Sequence, residues 1–238
     1  MTKPFVSCII PSAGRGQRMQ CSTNKNLLPI LGKAVLLYSI ETFCMVENVR
    51  EILLLIKEED KADIEKMLEE KSLKVPIRLI YGAGTRQGSV YNGLRNLNNK
   101  CDIVSIHDGA RPLVSTQIIQ RTIDAAMKYG ASCASVSMKE TVAIQKNGKI
   151  DHLLQRDTLA SIQTPQTFEK DLICSAHQNA LLRGFQSTDD TSLVQNYGHD
   201  VYLVKGSYEN IKITTPEDFV LAKHLLLENY NRRQNYAD

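Results

Sequence analysis

Short apolar runs alternate with helical patterns through the first half of the chain. Val6–Ile10, Ile52–Ile56, Ile77–Ile80 and Ile103–Ile106 read as strands. The run at 52–56 has no polar interruption, as expected where a strand is buried on both faces. Between these runs, apolar positions recur at helical spacing over Leu36–Met45, over Glu58–Glu70 (Ile64, Met67, Leu68), over Ser89–Leu97 (Val90, Leu94, Leu97) and over Gln117–Tyr129, which closes at Gly130. Such alternation predicts an α/β fold, a Rossmann-like, mostly parallel open sheet with flanking helices.

Beyond residue 140 the rhythm changes. Thr141–Gln145 and Ile150–Leu154 read as two strands around Asn147-Gly148, a strong short-range hairpin signal. A hairpin has no evident place in a doubly wound sheet. It is therefore expected to project as a β-arm over about residues 138–158. Its apolar positions, Val142, Ile144, Ile150 and Leu153, need a covering surface, which predicts a homodimer. Further on, Val201–Val204 reads as a strand and Asn210–Thr214 as a short extended piece. Thr215-Pro216-Glu217-Asp218 opens a helix, with Thr215 as N-cap, Pro216 at the first position and Asp218 closing a capping box. No repeat or low-complexity linker divides the chain, so residues 1–238 are taken as one domain.

Composition narrows the class. With 42% hydrophobic and 23% charged residues the chain is ordinary globular protein, not a disordered one. A net charge of +3 without a basic block gives no reason to expect nucleic acid or membrane partners. The six cysteines (Cys8, Cys21, Cys44, Cys101, Cys133 and Cys174) form no C-x-x-C pair and read as free thiols of a reducing cytoplasm. Neither a signal-peptide pattern nor an apolar run of membrane-spanning length is visible.

The chemistry concentrates after the first strand. Pro11 to Lys25 form a glycine loop carrying Arg15, Arg18 and Lys25. Gly14 and Gly16 let backbone N–H groups approach a ligand, and three cations suit a triphosphate. A dinucleotide fingerprint would need glycine where Met19 stands. A P-loop would need glycine at Leu27, upstream of Gly32-Lys33. Neither motif is satisfied. Two further polar clusters follow strands: Gly82–Ser89 and His107–Pro112. Since ligands of open α/β sheets bind beyond the strands' carboxyl ends, Asp108 is a candidate Mg²⁺ ligand. An Asx-turn or helix-capping aspartate is the structural alternative.

Ser12-Ala13-Gly14-Arg15-Gly16-Gln17-Arg18-Met19, with Asn24-Lys25, resembles the A-A-G-x-G-x-R-M…P-K signature of sugar- and polyol-phosphate nucleotidyltransferases. Four later stretches are similar to the motifs of one group, the 2-C-methyl-D-erythritol 4-phosphate cytidylyltransferases. They are Gly82–Leu94 (G-G-x-x-R-x-x-S-V-x-N-G-L), His107–Pro112 (H-D-[AG]-A-R-P), Gln163–Phe168 (Q-T-P-Q-x-F) and Asn210–Asp218 (N-I-K-x-T-x-P-E-D). Thr188-Asp189-Asp190 matches a further T-D-D element.

The resemblance implies transfer of a cytidylyl group from CTP, with a divalent cation, to a polyol phosphate. Arg18, Lys25 and Lys212 fall on residues that grip and neutralise the phosphates. Ala13, Gly14, Gly16, Gly82, Ala83, Arg86, Ser89 and Asp108 fall on the nucleotide site, with Asp108 also on the metal. Arg111, Thr141, Arg156 and Thr164 fall on polyol-phosphate contacts, Thr141 and Arg156 reaching in from a neighbouring subunit's arm. Each has a plainer reading: Thr141 as a β-former, Arg156 as a solvated charge, Ser89 as a helix N-cap, Lys212 as a solvent-facing strand residue. Two departures stand out, Asn24 in place of proline and Ala83 in place of a second glycine. At Ala83, base contacts through the backbone require a negative φ. Ribitol 5-phosphate cytidylyltransferases are the nearest rival, usually with H-D-A-V-R-P where this chain has Gly109-Ala110 after His107-Asp108. A different sugar-nucleotide pyrophosphorylase, an NAD-dependent oxidoreductase and a non-catalytic binding module are more distant alternatives.

Overall fold

The computed structural model describes residues 3–14 and 24–235. In chain order the elements are β1 (Val6–Pro11), a small ribbon of β2 (Pro29–Ile30) and β3 (Lys33–Ala34), α1 (Val35–Cys44), β4 (Val49–Ile56), α2 (Lys61–Glu69), β5 (Ile77–Tyr81), α3 (Arg86–Leu94), β6 (Ile103–Ile106), α4 (Thr116–Tyr129) and β7 (Ala131–Ser137). Next come β8 (Ala143–Lys146), β9 (Lys149–Leu153), β10 (Ala160–Glu169), α5 (Lys170–Arg183), α6 (Asp190–Asn196), β11 (Tyr202–Lys205) and α7 (Pro216–Asn235).

Seven strands form one sheet in the order β11-β7-β10-β6-β1-β4-β5. The β6-β1-β4-β5 half is parallel, β11 runs parallel to β7, and β10 lies antiparallel between β6 and β7. The expected α/β sheet with flanking helices is therefore present, with one reversed strand.

Strand alternation divides the core in two. Val6, Cys8, Ile10, Leu54 and Ile56 face α1, α2 and α4, contributing with Phe43, Ile64 and Ile119 to one cluster. Ile9, Leu53, Leu55, Val104 and Ile106 face the other way, toward Val90, Phe168, Ile173 and Val194. Both clusters are buried, so β1 and the 52–56 part of β4 read as largely apolar runs. A third, smaller cluster joins Ile30, Val35, Ile213 and Ala222, tying the 210–214 segment and α7 to the ribbon side of the molecule.

Several expectations are refined. The hairpin is real: Asn147 and Gly148 have φ of 51° and 77°, the pair of positive values that a two-residue turn demands. It stands as a separate two-stranded sheet, and Ile144, Ile150 and Leu153 are exposed. Asn210–Thr214 forms no strand. It is an irregular strap held by side chains and by the bond from Ile213 N–H to Ala110 O. The α7 capping box forms as predicted, Thr215 Oγ1 accepting from Asp218 N while Asp218 Oδ2 accepts from Thr215 N at 2.9 Å. Ser89 is not the N-cap of α3. Thr85 is, its hydroxyl accepting from Gly88 N at 3.0 Å, because the helix starts three residues earlier than apolar spacing alone suggested. β7, β10, α5 and α6 carry no clear hydropathy signal and appear only in the fold.

Candidate active site

The parallel strands end together. The ladder continues one residue past each, through Ser12 N to Leu55 O, Gly82 N to Ile56 O and His107 N to Ile9 O. Those bonds aim three loops into one cavity of about 610 Å³ at the carboxyl edge of the sheet. Ala13, Gly14, Lys25, Gly82, Ala83, Arg86, Ser89, Asp108 and Lys212 all line it, so residues from four separate motifs meet in one place. Arg18 and Gly16 lie outside the described residues. Thr141 and Arg156 are on the exposed arm and do not line this cavity in the same chain.

Asp108 is the electrostatic centre. Its Oδ2 pairs with Lys212 Nζ at 2.8 Å, and its Oδ1 with Arg86 Nε at 3.3 Å, while Arg111 Nε stands 3.8 Å from Oδ2. Burial opposes ionisation of this carboxyl. Arg86, Lys212 and Arg111 outweigh it and hold Asp108 well below the usual carboxylate range. Its side chain is spent on cations, so the Asx-turn and capping alternatives do not describe it.

Arg86 is itself shared. Its Nη1 donates to Asp190 Oδ2 at 2.7 Å, so the guanidinium spans two buried carboxylates. Burial disfavours its charge, and Asp190 and Asp108 more than restore it.

Behind Asp108, Thr164 is buried against β6. Its hydroxyl accepts from Asp108 N at 3.1 Å and meets His107 Nδ1 at 3.0 Å. His107 is fully buried, and desolvation lowers its pKa to about 4. Its Nε2 faces Arg111 O, a carbonyl that only accepts, so the neutral ring carries its proton there and Nδ1 accepts from Thr164. The hydroxyl proton of Thr164 is thus committed within the protein. The Thr164–Pro165 peptide is cis.

The 210–214 strap delivers Lys212. Asn210 is fully buried, its Nδ2 donating to Thr164 O at 2.9 Å, while Arg111 Nη1 donates to Asn210 O at 2.7 Å. Ile213 plugs into the third cluster, and between these anchors Lys212 reaches Asp108. Lys25 Nζ donates to Ile213 O at 2.7 Å, which brings both lysines to the same strap. Asn24 does not loosen its segment in place of proline. It is buried, donates to Ser12 O and to Asp60 Oδ2, both at 2.8 Å, and accepts from Asn26 N.

On the nucleotide side, Gly82 permits a close approach, since a Cβ there would lie 2.6 Å from Ala13 Cβ. Ser89 Oγ accepts from Ala83 N at 2.9 Å and donates to Thr85 O at 2.8 Å, pinning the loop to α3. Among the described residues Ala83 is not one with positive φ, so its methyl group leaves the backbone path intact. Space for that methyl comes from Gly88, where a side chain would meet Ala83 Cβ at 3.0 Å. The absence of a side chain at Gly88 thus accommodates Ala83.

Among the described residues no three His, Cys, Asp or Glu side chains converge as a metal group. Asp108 and Glu58 are the carboxylates lining the cavity. That donor set fits Mg²⁺, which takes one or two carboxylates and completes its shell with phosphate oxygens and water. Residues to which sequence reasoning assigned no role, namely Asn210, Gln166, Asp190, His107 and His177, prove to be buried supports of the site. All but His177 lay within quoted motifs, which was their only signal.

The family model for 2-C-methyl-D-erythritol 4-phosphate cytidylyltransferase matches residues 6–228. An enzyme of that name from Caldanaerobacter subterraneus is 46% identical over 223 residues, covering 93% of this chain and 98% of its own. Another, from Clostridioides difficile, is 40% identical, covering 92% and 93%. In structure, the 4-diphosphocytidyl-2C-methyl-D-erythritol synthase of Anaerococcus prevotii superposes with a TM-score of 0.84 at 35% identity, covering 94% of this chain and 97% of that one. The cavity's four motifs, the sheet around them and these likenesses agree: the chain belongs to the 2-C-methyl-D-erythritol 4-phosphate cytidylyltransferase family.

Proposed function

We propose that this chain transfers the cytidylyl group of CTP to 2-C-methyl-D-erythritol 4-phosphate, giving 4-diphosphocytidyl-2-C-methyl-D-erythritol and pyrophosphate for isoprenoid precursor synthesis. The observation that carries the reading is the cluster of Asp108, Lys212, Arg86 and Arg111 at the edge of a glycine-bordered cavity. A polyol-phosphate oxygen attacks the α-phosphorus in line, the bond to the β-phosphate breaks, and pyrophosphate carries away the electron pair. No protein nucleophile is needed, because positioning and charge neutralisation suffice. Lys25 and Lys212, with Arg18, offset charge on the phosphates as it builds. Gly82, Ala83, Ser89, Ala13, Gly14 and Gly16 border the nucleotide. Arg111 and Thr164 serve the acceptor through Asp108, which both touch, and Thr141 and Arg156 are supplied by a second copy. Asp108 would hold a divalent cation such as Mg²⁺, which would supply polarisation of the phosphate oxygens when bound.

Residues 1–238 act as one nucleotidyltransferase domain, and the β-arm joins two copies. The five described cysteines carry no disulfide, in keeping with a reducing cytoplasm. No helix among the described residues is long and apolar enough to cross a membrane.

The test is Mg²⁺-dependent pyrophosphate release from CTP, with methylerythritol 4-phosphate and ribitol 5-phosphate supplied in parallel. Release with the first alone is the expected result, and Lys212→Ala lowers it by roughly 10²–10³-fold. Release only with ribitol phosphate would move the acceptor assignment. A fully active Lys212→Ala enzyme would remove that lysine from the mechanism.

A further inference from the structure

Two motif fragments take no part in the chemistry derived above: the T-D-D element and Gln166. Both lie behind Arg86. Asp190, the first residue of α6, is fully buried. Its Oδ2 accepts from Arg86 Nη1 at 2.7 Å, and its Oδ1 lies 3.0 Å from His177 Nε2. Its backbone N–H donates to Gln166 Oε1 at 3.0 Å, and Gln166 Nε2 donates to Asp189 Oδ2 at 2.6 Å. Asp189 in turn caps α6 by accepting from Ser192 N at 2.9 Å. Asp190 is therefore held from three sides by β10, α5 and its own helix.

The consequence falls on Arg86. With Nη1 bound to Asp190, only Nε reaches Asp108, at Oδ1. Asp108 Oδ2 is then left to Lys212. An arginine released from Asp190 would be free to close its planar fork on both oxygens of Asp108 and displace the lysine. Arg86 also stands between the nucleotide cavity and a second cavity of about 780 Å³ against α5, so there is room on either side for it to move.

We propose that Asp190 is a positioning residue for the transfer reaction, acting through Arg86: it holds the guanidinium across two carboxylates, so that Asp108 and Lys212 keep the arrangement that meets the phosphates. This rests on the functional reading above. It assigns a purpose to Gln166 and Asp189 as well, since they fix Asp190.

A double-mutant cycle with Asp190→Asn and Arg86→Ala tests it, read as kcat and KM for CTP, with thermal melting as a folding control. Asparagine replaces one of the two acceptor oxygens with an amide nitrogen and removes the charge, so it cannot hold His177 and Arg86 as the carboxylate does. Asp190→Asn is expected to lower kcat about 10- to 100-fold, as for other supports of a charged site, with KM for CTP changed less than about threefold. In the Arg86→Ala background the same substitution is expected to cost less than about twofold, because its intermediary is gone. Full additivity would overturn the proposal and leave Asp190 a structural residue. Arg86→Lys decides the matter if Asp190→Asn does not fold. Lysine keeps the charge but not the fork, so it should lower kcat about 10- to 100-fold. A lysine variant at the wild-type rate would overturn the proposal. If the wild-type protein releases no pyrophosphate from CTP, the functional reading falls and this inference with it; an active wild type with an additive cycle removes the inference alone.

Discussion

His107 shows how a single buried side chain ties the site to stability. The ring is enclosed between Thr164 and the Arg111 carbonyl, and desolvation holds its pKa near 4 against an ordinary 6.5. Between those values the unfolded chain binds more protons than the folded one, so stability falls as pH drops from about 6.5 toward about 4. The full effect of a shift this size is on the order of 3 kcal/mol. Urea unfolding at pH 7.5 and pH 5 checks this: the wild type should lose at least about 1 kcal/mol more than His107→Asn over that interval. Asp108 and Asp190, both depressed, keep their contributions above the ordinary carboxylate range, so pH 5 separates them from His107. Equal losses in both proteins would contradict the neutral, buried imidazole. At this scale the sequence was partly legible. The motif containing His107 was visible, but its burial was not, because nothing local distinguishes a buried histidine from an exposed one.

β10 is the element that most separates pattern from structure. Its sequence, Ala160–Glu169, includes Pro165 and five Ser, Thr or Gln side chains, a composition that does not announce a central strand. The strand is viable because its polar groups find partners in three dimensions. Thr167 Oγ1 lies 3.1 Å from Ser105 Oγ and donates to Thr122 Oγ1 at 3.0 Å, while Gln166 serves α6. The register shift between Ile162 and Gln166 leaves Pro165 outside the paired positions, where its missing N–H is not called on by the ladder. Phe168, fully buried in the second core cluster, supplies the apolar anchor. Phe168→Ala should therefore destabilise the protein by about 3–5 kcal/mol in urea unfolding. A loss under about 1 kcal/mol would mean that this anchor is not packed as described. Parallel strands β1, β4 and β6, by contrast, were legible because burial on both faces leaves a largely apolar record in the chain.

The β-arm belongs to the scale of the whole molecule. Ile150 and Leu153 are 69% and 60% exposed on a two-stranded sheet that pairs with no further strand among the described residues. An isolated hairpin is marginal in water, so a covering surface would stabilise it as well as hide its apolar residues. We expect a dimer by analytical ultracentrifugation at micromolar concentration. Replacing Ile150 and Leu153 with Asp should give monomers and cut pyrophosphate release, because Thr141 and Arg156 would no longer be delivered to a second copy's site. A wild-type protein that sediments only as monomer would refute the arm's role.

By itself the sequence determined the parallel half of the sheet, the Asn147-Gly148 hairpin, the α7 capping box and the motifs that meet at the cavity. Each is a local or periodic signal: two-sided burial, positive φ in a tight turn, a side chain within four residues of its partner. The tertiary structure decided the rest. It inserted β10 antiparallel and set Asp190 behind Arg86. Those outcomes depend on groups that lie far apart in the chain and become neighbours only after folding. A buried charge or amide is stable only when such a partner is present, and no local pattern records which partner that is.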